Sequence, residues 1–89
     1  MHVEITQSGP GGSVIYHEPP HSLRFSWEFA MPPALALVFG PSVRAWPLQV
    51  PWAAGRREEI FTAVAQEVVR QKASGRGFSF DDTGTIEIR

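Results

Sequence analysis

Between residues 23 and 31 an apolar side chain stands at every second position: Leu23, Phe25, Trp27, Phe29 and Met31, with Arg24, Ser26, Glu28 and Ala30 between them. Alternate residues of a strand share one face, so the stretch reads as a β-strand with one large apolar face directed at a core. A helix would scatter the same side chains around its circumference. An apolar face of this size needs a second layer to cover it.

The covering element comes later in the chain. Ile60, Val64 and Val68 recur in steps of four, and Phe61, Ala65 and Val69 lie beside them. Together they make one wide apolar stripe, which predicts an amphipathic helix over about residues 55–74. Glu58 and Glu59 suit its first turn and Arg70 and Lys72 its last, because the helix dipole favours acids at the start and bases at the end. Gly75 is placed to end it in a left-handed cap.

The remaining segments read as strands and breaks. Val3 and Ile5 alternate with His2, Glu4 and Thr6 in a short first strand, which Ser8-Gly9-Pro10-Gly11-Gly12 interrupts. Ser13 to His17 forms a second strand ended by Pro19-Pro20. Ala34 to Phe39, after Pro32-Pro33, is apolar on both faces, as a covered central strand is. Ser42 to Trp46 suggests a short edge strand, and the following segment to Trp52 is too rich in proline for a helix or an inner strand. Phe78-Ser79-Phe80 and Ile86-Glu87-Ile88 form a last hairpin across Asp81-Asp82-Thr83-Gly84, with Gly84 at a positive φ.

One helix with one apolar stripe covers one sheet face. The expected architecture is therefore an α+β two-layer sandwich, with a mainly antiparallel sheet of about five to seven strands and the long helix packed on one side. Eighty-nine residues suffice for one modest core, so residues 1–89 are expected to form a single domain.

Composition excludes several function classes. With 43% hydrophobic and 19% charged residues the chain is not of disordered type. A net charge of −1 with no basic stripe argues against nucleic acid as a partner, since phosphate contacts need Lys and Arg. The absence of cysteine removes disulfide and thiolate chemistry. The longest apolar run, Ala34 to Phe39, is far short of the roughly 20 residues of a membrane span. The first residues carry no basic segment followed by an apolar one, so no secretory leader is expected and the cytoplasm is the expected compartment.

Three stretches share letters with catalytic motifs. His17-Glu18-Pro19-Pro20-His21 matches the H-E-x-x-H of zinc proteases, in which two histidines one helical turn apart reach one metal and the glutamate acts as base. Two adjacent prolines forbid the helix that this geometry needs. The segment reads instead as a tight bend between strands, and a metal-dependent enzyme built on it is the least favoured function. Asp82-Thr83-Gly84 has the letters of an aspartic-protease loop, but that chemistry needs two carboxylates sharing a proton in a deep cleft. The hairpin turn accounts for it. Gly9-Pro10-Gly11-Gly12 lies between strands and has no following Lys-Ser or Lys-Thr, so it is a turn and not a phosphate cradle. No catalytic residue, cofactor-binding residue or metal ligand is expected.

The Trp46–Trp52 segment is the one candidate binding surface. Two Trp with Leu48 and Val50 are spaced by Pro47 and Pro51. Trp is enriched at binding hot spots, and proline limits the entropy lost on binding. Trp52, just ahead of the helix, is expected to face the core. Trp46, with Arg44 and Leu48, is expected to face a partner.

Gly12-Ser13-Val14-Ile15-Tyr16 in an early strand, the Trp46 to Pro51-Trp52 segment and the helix led by Arg56-Arg57-Glu58-Glu59-Ile60 give a layout that resembles small bacterial immunity proteins of toxin–immunity pairs. The resemblance implies a cytoplasmic, non-enzymatic protein that neutralises a cognate toxin by binding it. The leading expectation is thus a small non-catalytic protein-interaction domain with another protein as partner, of immunity type. The alternative is a small ligand-binding or oligomeric subunit-like domain, including a homodimer, whose partner covers the Ala34–Phe39 strand.

Overall fold

The computed structural model describes all residues, 1–89. Six strands and one long helix form two layers. The strands are β1 (His2–Ser8), β2 (Gly11–Glu18), β3 (His21–Phe29), β4 (Ala36–Phe39), β5 (Phe78–Phe80) and β6 (Thr85–Ile88). Between β4 and β5 lie a single helical turn α1 (Trp46–Gln49), a 3-10 turn (Pro51–Ala53) and the long helix α2 (Arg57–Lys72). The sheet is open and wholly antiparallel, in the order β1-β2-β3-β4-β6-β5. This is the α+β layout that the alternation and the helical stripe predict.

Two two-residue turns set the register of the first three strands. Ser8 pairs with Gly11 around Gly9-Pro10, and Glu18 pairs with His21 around Pro19-Pro20. Gly9 has φ 63°, which its lack of a Cβ makes cheap. From there the pairing carries Val3, Tyr16 and Leu23 to one face in one row, and Ile5, Val14 and Phe25 in the next. β6 returns from the far edge to pair with β4, bringing Ile86 beside Val38 and Ile88 beside Ala36 on the same face.

α2 lies on this face. Ile60, Phe61, Val64, Ala65 and Val68 are buried, as the four-residue stripe predicts. Phe61 is at the centre, edge-on to Phe25 at 5.4 Å between ring centroids and tilted against Phe80 at 5.4 Å. Burying side chains of this size contributes roughly 1.5–3 kcal/mol each, which is how a chain this short holds a core. No helix is long and apolar enough to cross a membrane.

Three sequence expectations are corrected. The 42–46 segment adds no strand, and residues 46–49 are helical. Proline permits this because Pro47 falls in the first turn of α1 and Pro51 opens the 3-10 turn, where no intrahelical N–H is lost. The alternating apolar run is not buried to its end: Phe25 is fully enclosed, Trp27 is half-buried, and Phe29 and Met31 are 54% and 85% exposed. β3 ends at Phe29, so Met31 lies beyond the sheet.

Candidate functional site

The incomplete cover over β3 leaves an open apolar cleft. It lies between the last turn of α2, with Val68, Lys72 and Ala73, and the inner face of the sheet at Ile5, Trp27 and Phe29. Its volume is about 270 Å³, and ten of its thirteen lining residues are hydrophobic. The Lys72 side chain lies at its edge, exposed and in no ion pair.

Trp27 gives the cleft its wall, and a glycine makes that possible. Gly12 pairs directly with Trp27 across β2 and β3. The indole extends over the glycine to the next strand, where its Nε1–H donates to the Thr6 carbonyl at 2.8 Å. A Cβ on Gly12 would collide with that same carbonyl and crowd the indole nitrogen. A strand glycine commonly marks such a close approach. Phe29 then meets Trp27 edge-on at 5.0 Å between centroids. The two rings form an aromatic ledge, half-buried on the Trp27 side and open to solvent on the Phe29 side.

The residues expected to face a partner are divided by the fold. Arg44 and Leu48 are exposed, Leu48 at 83%. Trp46 is not: it is 3% exposed, packs edge-on to Phe61 at 6.0 Å, and its Nε1–H donates to the Ala53 carbonyl at 2.9 Å. The expectation of an outward Trp46 is therefore overturned, while Trp52 packs against the core as expected, though only partly buried. The α1 turn rotates Trp46 onto the core, and Trp52 is half-buried, stacked parallel on His21 at 4.6 Å. That stack ties the segment ahead of α2 to the start of β3.

The His17–His21 segment is a hairpin turn, as the paired prolines require. Glu18 pairs with His21 and His17 with Ser22, so the two histidines project from opposite faces of the sheet and cannot share a metal. Glu18 is engaged on the inner side. It accepts hydrogen bonds from Arg56 at 2.7 and 2.8 Å and from the Tyr16 hydroxyl at 2.6 Å. The Arg56 bonds, then the Tyr16 bond, hold its carboxyl down at about 2. Burial, and then the bond to Glu18, push the Tyr16 hydroxyl up to about 12. A carboxylate so satisfied is a weak general base, because proton abstraction works best with a pKa near the operating pH.

On the outer face His17 has other company. It pairs across the strands with His2, the two rings stacked at 5.4 Å, and its Nε2 lies 3.2 Å from Glu4 Oε1. Sequence reasoning missed this group because the β1–β2 register is non-local. The one local signal is His2 and Glu4 at alternate positions of a strand, which puts them on one face. The Asp82-Thr83-Gly84 letters lie in the β5–β6 turn, where the Asp81 carboxylate organises the backbone by accepting from the N–H groups of Thr83, Gly84 and Thr85.

Comparison of the chain with protein-family models, with curated proteins and with solved structures finds no match.

Proposed function

We propose that this chain is a non-catalytic protein-interaction domain, and that its partner seats a large apolar side chain in the cleft beside Trp27 and Phe29. The observation that carries the reading is the exposed aromatic ledge continuous with a cavity. Phe29 and Met31 remain in water although each is large and apolar, and exposed apolar surface of this kind marks interaction sites. The cavity has a volume of about 270 Å³ and is lined mainly by hydrophobic side chains. It suits one hot-spot anchor in a desolvated pocket. Lys72 at the edge adds a preference for an acidic group beside the anchor.

The immunity-protein form of this reading makes the partner a cognate toxin in a bacterial cytoplasm. Arg44 and Leu48, both exposed, are a second contact region in that form. The partner is then lethal when expressed alone and harmless beside this chain.

The test is site-specific photo-crosslinking in the native host, with a photoreactive phenylalanine analogue at position 29 or, as comparison, at position 48. The expected result is one heterologous adduct at position 29, identified by mass spectrometry and abolished by Trp27→Ala in the same chain. Adducts only at position 48, only with a second copy of this chain, or at neither position would overturn the cleft as the contact surface.

A further inference from the structure

The outer face carries a group that the proposed cleft, on the opposite face, does not use. His2 and Glu4 stand two residues apart on β1, and His17 faces His2 from β2. One ligating atom from each of the three lies within 4.8 Å of the other two. His17 Nε2 and Glu4 Oε1 are already 3.2 Å apart. Donor atoms at about 2.0–2.2 Å from a tetrahedral zinc are about 3.3–3.6 Å from one another. Binding requires the two stacked rings, 22° apart in plane, to turn until a nitrogen of each points at the ion, and side chains that are exposed or half-buried are free to make that turn.

We propose that His2, Glu4 and His17 form a binding site for one divalent transition-metal ion of the zinc class. The donor set decides the class. Two imidazoles and one carboxylate suit zinc, nickel, cobalt and copper(II), whereas magnesium and calcium prefer oxygen donors alone. Neutral imidazoles and one carboxylate offset one of the two charges of the ion. In a tetrahedral zinc site three protein donors leave one position open for water or for a donor from another molecule.

The placement gives the ion a structural consequence. β1 is an edge strand, joined to the rest of the sheet through β2 alone. Two donors on β1 and one on β2 clip that edge to its neighbour at the end remote from the Gly9-Pro10 turn. A ligand that binds only the folded chain stabilises it by mass action, so the bound ion raises the melting temperature.

The experiment is isothermal titration of zinc into the full 89-residue chain without a histidine tag, followed by thermal melts with and without zinc. The expected result is saturable binding of one zinc per chain and a higher melting temperature with zinc. His17→Gln and Glu4→Gln, removing a ligand directly, weaken binding by more than the about 10–100-fold that loss of an outer hydrogen-bond partner costs. His21→Gln, on the other face, leaves binding unchanged. NMR of the wild-type imidazoles during the titration gives an independent readout, with His2 and His17 shifting and His21 unmoved. No saturable binding, equal weakening by His21→Gln, or shifts at all three histidines would overturn the site.

Discussion

The guanidinium of Arg57 lies 4.1 Å above the ring centroid of Phe61, one helical turn away on α2. Its Nε–H also donates to the Pro41 carbonyl at 3.2 Å and its Nη2 group to the Asp81 carbonyl at 2.9 Å. The residue is 8% exposed. One side chain thus ties the start of α2 to the loop after β4 and to the β5–β6 turn, with the central aromatic of the core beneath it. The Arg56-Arg57-Glu58-Glu59 run reads in sequence as a charge run that cancels itself. In the fold Arg56 takes Glu18 and Glu59 as partners, while Arg57 pairs with carbonyls and a ring.

Arg57→Lys should therefore be costly despite keeping the charge. A single ammonium lacks the planar fork that reaches two carbonyls and stacks on a ring. Losing one such charged hydrogen bond costs about 1.5–3 kcal/mol, which urea denaturation would detect as a lower midpoint. A midpoint equal to that of the wild type would show that the Arg57 bonds contribute nothing net.

Trp46→Ala should destabilise by about 3–5 kcal/mol, as removal of a buried aromatic does. Trp46→Phe keeps most of the packing and removes one of two hydrogen bonds to the Ala53 carbonyl, which still accepts from the Arg56 N–H, at a cost of about 0.5–1.5 kcal/mol. Trp52→Ala should cost less than Trp46→Ala, because Trp52 is half-buried and its stacking partner His21 is exposed. Thermal melts of the three variants check the order. Trp52→Ala melting below Trp46→Ala would invert the roles assigned to the two rings.

Gly12→Ala should disturb the cleft more than the core. A methyl at this position collides with the Thr6 carbonyl and crowds the Trp27 indole, breaking the bond between them. The expected outcome is a shift of Trp27 fluorescence to longer wavelength in a Trp46→Phe, Trp52→Phe background, in which Trp27 is the one remaining indole. An unchanged spectrum would show that the indole does not rest on Gly12.

Asp81 supplies a pH-dependent contribution. The Thr83 hydroxyl, then the backbone N–H of Thr85, hold its carboxyl below the usual range, with the Thr83 and Gly84 N–H groups adding to this. A depressed folded-state pKa stabilises the fold fully above the unfolded value of about 3.9 and loses that contribution as pH falls through the folded value. Wild type should thus melt above Asp81→Asn at neutral pH, and the gap should close as pH falls below about 4. Melts across that range that run parallel would show that the carboxylate charge is not what organises the turn.

The sequence by itself determined the elements whose signal is local. Period-two alternation marks β3, the four-residue stripe marks α2, and Pro19-Pro20 and Gly84 mark the turns, because each depends on backbone sterics or on neighbours a few residues away. Tertiary structure alone decided how far the helix covers the sheet, and so why Phe29 stays exposed while Phe25 is enclosed. It also decided that Trp46 faces inward, since the α1 turn orients it against Phe61, a residue on another element. The pairs Gly12–Trp27 and His2–His17 belong to this second class. Their register is fixed by turn geometry and by which face of each strand must be buried, and a slip of one residue would move every side chain to the opposite face.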